Sequence, residues 1–218
     1  MATRRLLADL VAQFGTTCPT AVAVESVGGV DAAKRVRAGE TFDIVVLASD
    51  VIDQLLAEAR LVGARVDIAT SATAVAVPAG ATRPDISSAD AVKRAVLDAS
   101  SVGYSTGPSG THIARLFDRW GITEAIASRI VVPPPGVAVG TLVARGELAL
   151  GFQQLSELAP LTGVDVVGLL PPDIQALTVF SGGVAATCTA RDTARQVLEF
   201  LGGPAGAEIK RRHGMAQP

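Results

Sequence analysis

Short β-branched apolar runs alternate with amphipathic helical segments along almost the whole chain, and this alternation constrains the fold more than any other feature of the sequence. Leu6, Leu7, Leu10, Val11 and Phe14 recur at helical spacing, so residues 3–14 read as an opening helix with Thr3 as its cap. The run Thr20 to Glu25 reads as a strand, Gly28-Gly29 as a turn, and Asp31 to Gly39 as a helix. Phe42 to Leu47, Val66 to Pro78, Val102 to Tyr104, Ile130 to Val132, Leu148 to Phe152, Val164 to Leu170 and Thr178 to Thr187 supply further extended runs, nearly all separated by helical patterns. Strands alternating with helices predict an α/β protein with mainly parallel sheets covered on both faces.

The composition fits such a protein and excludes several others. Of 218 residues 49% are hydrophobic and 18% charged, enough apolar material for one or two cores. The net charge of −2 carries no basic footprint for nucleic acid or for an anionic membrane, and with 4% aromatics there is no platform for stacked bases. Asp9 interrupts the N-terminal apolar run that a signal peptide requires, and no later run reaches about 18 uncharged apolar residues. As written, the chain reads as cytoplasmic. Cys18 and Cys188 stand far apart and read as free thiols, and with only His112 and His213 beside them no metal site or cofactor is expected.

Ligands of open α/β sheets sit beyond the carboxyl ends of strands, where loops and helix N-termini converge. Four such loops precede predicted helices here: Ser26-Val27-Gly28-Gly29, Ala48-Ser49-Asp50, Ser105 to Thr111, and Pro135-Gly136-Val137. Each alone is an ordinary cap or turn, but together they offer unpaired N–H groups and helix dipoles to an anion without any lysine or arginine. No Gly-x4-Gly-Lys run and no Gly-x-Gly-x-x-Gly opening is present, which disfavours nucleotides. His112, Glu25 and Asp50 border these loops and are the candidate proton carriers, against the plainer reading of each as a cap, a locally bonded side chain or a surface charge.

Three stretches carry a family resemblance: Ala38-Gly39 with Asp43 to Asp50, Gly103-Tyr104-Ser105 with Pro108 to Thr111, and Ala144 to Gln154. They resemble the molybdate-binding-like branch of the type II periplasmic-binding proteins. The resemblance implies two α/β lobes joined by two crossing strands, with residues 1–76 and 177–218 forming a discontinuous lobe one and residues 77–176 forming lobe two. Members open with a β-strand ahead of their first helix, so the first strand of lobe one is expected to be missing from this sequence. A signal peptide would be missing with it, and the location would then be periplasmic.

Carried over by position, oxyanion contacts fall near the start of the first helix and at Gly28, Gly29, Ser109, Val137 and Gln154, with Ser26, Ser49, Ser105, Gly110 and Thr111 beside them. The family presents hydroxyls where this chain has the two glycines and a tyrosine where it has Gln154. The expected ligand is therefore a small organic carboxylate rather than molybdate. The resemblance implies a substrate-binding module that serves an ABC permease if exported. The alternative is a cytosolic isomerase or tautomerase of a small oxo-acid on the same scaffold. Gly110→Asp is expected to abolish anion binding and leave the fold intact.

Overall fold

The computed structural model describes residues 2–134 and 136–218; Met1 and Pro135, the latter from the fourth predicted loop, lie outside the described residues. In chain order the elements begin with helix α1 (Arg4–Thr17), helix α2 (Gly29–Arg37), strand β1 (Ile44–Ala48), helix α3 (Ser49–Ala57) and the long strand β2 (Leu61–Pro78). Then come α4 (Ala89–Asp98), β3 (Val102–Tyr104), α5 (Pro108–Arg119), α6 (Thr123–Ile126), β4 (Ile130–Val131), α7 (Val139–Ala144), β5 (Leu150–Gln154), α8 (Leu155–Leu158) and β6 (Val164–Leu169). The chain ends with β7 (Leu177–Ala185), α9 (Arg191–Gly202), α10 (Ala207–Arg212) and β8 (Met215–Ala216).

These elements form two compact units, Met1–Ser71 with Thr178–Pro218, and Ala72–Leu177. The first division falls at Ser71/Ala72 rather than at the expected 76/77, because Thr73 to Ala76 are already paired with β5 of the second unit and buried there. The α/β class holds, but the sheets are mixed rather than mainly parallel. Among the described residues β3 pairs in parallel with β4 and with β5, whereas β1 with β7, and β2 with β5, β6 and β8, pair antiparallel.

One expected strand does not form. Residues 18–28, including the run Thr20 to Glu25, have no regular structure, and only Val22 and Cys18 pack against a core while Val24 is 43% exposed. β-Branched residues favour a strand only where a neighbour completes the ladder, and no strand pairs with this segment among the described residues.

In the first unit, the inward stripe of α1 (Leu6, Leu10, Phe14) meets Ile68, Phe180, Leu198, Leu201 and Met215, so residues from both ends of the sequence share one core. Gly182 in β7 permits this packing: a Cβ there would lie 2.3 Å from Leu198 Cδ2. A second cluster, Val36, Val45, Leu47, Ile52, Leu55 and Leu61, joins α2 and α3 to β1 and β2.

In the second unit, β2 and β5 divide two further clusters between their faces. Val75 and Phe152 face α5 with Ile113, Leu116 and Phe117, whereas Ala74 and Ala76 face α7 with Val139 and Val143. On the side of Thr73 away from β5, Gln175 takes the place of a strand. Its Oε1 accepts from Thr73 N at 2.9 Å, and its Nε2 donates to Thr73 O at 3.1 Å and Leu170 O at 3.2 Å.

Lys210 is fully buried, and its ammonium donates to Gly202 O and Gly203 O at the end of α9, each at 3.3 Å, and to Gln217 Oε1 at 2.7 Å. Burial disfavours its charged form and pushes its pKa down to about 8. Because the folded value lies below the ordinary lysine value, the folded state binds fewer protons between them, and stability rises with pH from about 8 towards 10.5. Lys210→Met should lower stability by about 1–3 kcal/mol through the carbonyls left unpaired. Chemical denaturation at pH 7, 8.5 and 9.5 should show the wild type gaining on that variant at each step.

Candidate functional site

The candidate residues of the first unit gather at the carboxyl end of β1. Strand β1 ends at Ala48, which caps α3, so Ser49 and Asp50 occupy that helix's first turn. Gly28 caps α2 with an extended backbone, and its carbonyl accepts from Ala32 N at 2.8 Å. Helix α2 packs on both β1 and α3, and a Cβ on Gly29 would meet Leu47 Cδ2 at 3.7 Å, so the two helix starts are neighbours. Ser26 is half-buried on the segment leading into α2.

Glu25 stands on the same segment but is fully engaged. Its two carboxylate oxygens accept from Arg35 at 2.6 and 3.1 Å; the guanidinium also binds Glu40 and lies 5.2 Å from the centre of the Phe42 ring. Hydrogen bonds from Arg35, reinforced by its charge, hold the Glu25 carboxyl below the usual carboxylate range. Both carboxylate oxygens are occupied by Arg35, which makes Glu25 the least available of the candidate proton carriers. Asp50 is exposed in the first turn of α3.

The second unit places its candidates at the carboxyl ends of β3 and β5. Tyr104 pairs with Phe152 in parallel, so Ser105 leaves β3 beside the last residues of β5. The chain then turns tightly into α5: Gly107 N donates to Ser105 Oγ at 3.3 Å, Thr111 N donates to Gly107 O at 3.0 Å, and Ser105 Oγ lies 3.4 Å from Ser109 Oγ. Ser109 is 2% exposed, Gly110 is buried, and Thr111 faces outward. Gln154 closes β5 with 2% exposure and caps α8. Its neighbour Gln153 points to the opposite face, where its Oε1 accepts from Gly140 N at 2.8 Å.

Two carried-over assignments change. Val137 was expected to offer its N–H from a helix start, but α7 begins at Val139 and the Val137 N–H donates to Pro134 O at 3.1 Å within a turn. His112 is half-buried on α5 with Nε2 2.7 Å from Ile174 O. A carbonyl only accepts, so Nε2 carries the hydrogen and Nδ1 of the neutral ring is left as the acceptor.

Sequence reasoning passed over two polar groups in this unit. Glu157, in α8 three residues after Gln154, is half-buried, and burial raises its pKa. Thr73 lies directly across the ladder from Gln154. The hydroxyl-bearing run Thr70-Ser71-Ala72-Thr73 inside an otherwise apolar strand was the available signal for the latter. A recess of about 640 Å³ lined by Val77, Pro78, Arg94, Asp98, Ser100 and Leu150 lies at the other end of this unit's sheet, away from the 105–111 loop. Among the described residues no group of three His, Cys, Asp or Glu is placed to share a metal ion.

Gly110 is required by geometry: a Cβ there would stand 1.5 Å from Ser105 O. Gly110→Asp therefore does not leave the fold intact, contrary to the expectation from sequence, because the tight turn must open before any charge effect is felt. Gly110→Ala should destabilise by more than about 2 kcal/mol in urea unfolding. Ser109→Ala, which loses one 3.4 Å hydroxyl contact, should cost about 1 kcal/mol or less and is the cleaner probe of the loop.

With this geometry in hand, comparison with known proteins is direct. Residues 1–216 match the family model for bacterial extracellular solute-binding proteins. A protein from Pseudomonas sp named aconitate isomerase is 37% identical over 190 residues, 84% of this chain and 72% of that one. Among solved structures, the Azotobacter vinelandii periplasmic molybdate-binding protein superposes with a TM-score of 0.80 at 18% identity, covering 100% of this chain and 96% of that one. The substrate-binding domain of a putative molybdenum ABC transporter from Clostridium difficile gives 0.76 at 14% identity, covering 100% and 95%. At such identities the structures share the fold alone, that of the two-lobed periplasmic-binding proteins, as the motifs around Asp43, Gly103 and Arg145 implied. The match of residues 1–216 to the family model establishes that the chain belongs to the bacterial extracellular solute-binding protein family.

Proposed function

We propose that this module binds a small organic polycarboxylate, with aconitate as the first ligand to try. The observation that carries this reading is the pair Gly28-Gly29. Gly28 has a φ of −59°, and a Cβ on either residue would make only ordinary contacts, 3.4 Å to Asp31 Oδ2 and 3.7 Å to Leu47 Cδ2. Neither glycine is demanded by the backbone or by packing there, so their effect is to leave open space and bare N–H groups at the start of α2. An elongated carboxylate uses that space; a compact tetrahedral oxyanion gains more from hydroxyl donors. The name of the 37% identical relative supports the same ligand class. If the chain is exported, the partner of such a binding protein is an ABC permease.

The same relative favours a second reading, an isomerase acting on the bound acid. Interconversion of cis- and trans-aconitate needs only a 1,3 proton shift. A base removes a proton from the methylene carbon, the electron pair becomes the new double bond, and a proton is returned at the far allylic carbon, with no net oxidation. In this reading His112, through Nδ1, and Glu157, whose burial favours its protonated form, are the groups suited to carry the proton. Asp50, exposed beside the first unit's loops, is the third.

Thermal shift against cis- and trans-aconitate, citrate, tricarballylate, molybdate, tungstate and sulfate tests the first reading. A ligand at 100 times its dissociation constant should add about 2.7 kcal/mol. Stabilisation by the tetrahedral oxyanions alone would remove the carboxylate assignment. Proton NMR of the bound cis-aconitate sample separates the readings: a growing trans signal establishes the isomerase, and unchanged ligand establishes binding only. Gly29→Ser, which adds a hydroxyl without a clash, should weaken carboxylate binding about tenfold and strengthen molybdate binding, by titration calorimetry.

A further inference from the structure

A buried hydroxyl at the floor of the second unit's loop cluster finds nothing within the fold to bond to. Thr73 is 0% exposed, and its Oγ1 has no hydrogen-bond partner among the described residues. Its backbone is committed on both sides, N–H and C=O alike, to Gln175, with Leu170 N also donating to its carbonyl at 3.1 Å. The side chain therefore has no freedom to seek a partner by shifting the strand. A buried hydroxyl without a partner is rare and costly, and it points to a group that the fold alone does not supply.

Position says which group. Thr73 and Gln154 are directly opposed across the antiparallel ladder, so their side chains share one face. The next opposed pair on that face, Val75 and Phe152, packs against Ile113, Leu116 and Phe117 of α5, which fixes the face as the one α5 covers. Strand β2 runs antiparallel to β5, so Thr73 lies at the carboxyl end of β5, the end at which Tyr104 hands over to Ser105 and α5 begins with Ser109 and Gly110 buried. An unpartnered donor thus stands on the floor beneath a helix start already lined by Ser105, Ser109 and Gln154.

We infer that the Thr73 hydroxyl is a ligand contact, donating a hydrogen bond to an oxygen of the bound carboxylate from the floor of the site. This rests on the carboxylate reading above. A threonine at this place adds a directional donor beside Gln154. It selects for a ligand long enough to reach from the α5 start to the β2 strand.

Titration of trans-aconitate, with molybdate as the compact control, into wild type, Thr73→Val and Thr73→Ser tests the assignment. Valine keeps the shape and removes the donor. The expected result is an affinity for trans-aconitate at least about tenfold weaker in Thr73→Val and within about threefold of wild type in Thr73→Ser, with the melting temperature of ligand-free Thr73→Val unchanged or raised. Unchanged affinity in Thr73→Val while wild type binds would overturn the contact and leave the carboxylate reading standing; this is also the outcome if the hydroxyl serves only a structural water. A melting temperature that falls in Thr73→Val but not in Thr73→Ser, with affinity unaltered, would likewise overturn it by showing an internal partner. If wild type binds none of the carboxylates, the functional reading fails and the contact fails with it.

Discussion

The second unit hangs on the way one carboxamide holds one residue. Gln175 gives Thr73 an acceptor for its N–H and a donor for its carbonyl, the two bonds that a neighbouring strand would have made. From that point β2 pairs with β5 and β6, β5 with β3, and β3 with β4, so this unit's sheet is built outward from the second half of β2. An amide satisfies a peptide group with the same donor and acceptor strengths as another peptide, but it reaches in from a segment that is not itself a strand.

The anion site proposed for these loops would not depend on formal charge. The loop residues at 26–29, 105–112 and 154 include no lysine or arginine, and Arg35 on α2 is engaged by Glu25 and Glu40. Recognition by N–H and hydroxyl donors is short-ranged and directional, so it reads the shape and the oxygen spacing of a ligand more than its total charge. In the proposed site, Gly28 and Gly29 in place of hydroxyl residues would alter size preference without altering electrostatics.

Much of this was legible in the sequence, and the parts that were not share a cause. Helical stripes such as Leu6-Leu10-Phe14 and turn residues such as Gly107-Pro108 report on their own neighbourhood, and α1, α3, α4, β3 and α9 fall within a few residues of where periodicity puts them. The run Thr20 to Glu25 failed because a strand is a property of two segments and only one is visible in a local pattern. The family motifs identified the 105–111 loop, yet the engagement of Glu25 by Arg35 and the turn that uses the Val137 N–H are contacts that no spacing announces. Thr73 and Gln175 are 102 residues apart, and each alone is unremarkable.

The first unit is assembled from Met1–Ser71 and Thr178–Pro218, with Leu6 and Met215 in the same core, whereas the second is one continuous stretch. During synthesis the ribosome therefore delivers the whole of Ala72–Leu177 before it has made β7, α9 or β8. The second unit has its complete set of partners while the first is still waiting, with the apolar stripe of α1 and the inner face of β2 uncovered until the segment from Thr178 onward is made. Chain order thus lets the second unit complete its core first, and in that interval the α1 stripe is apolar surface still waiting for its partners.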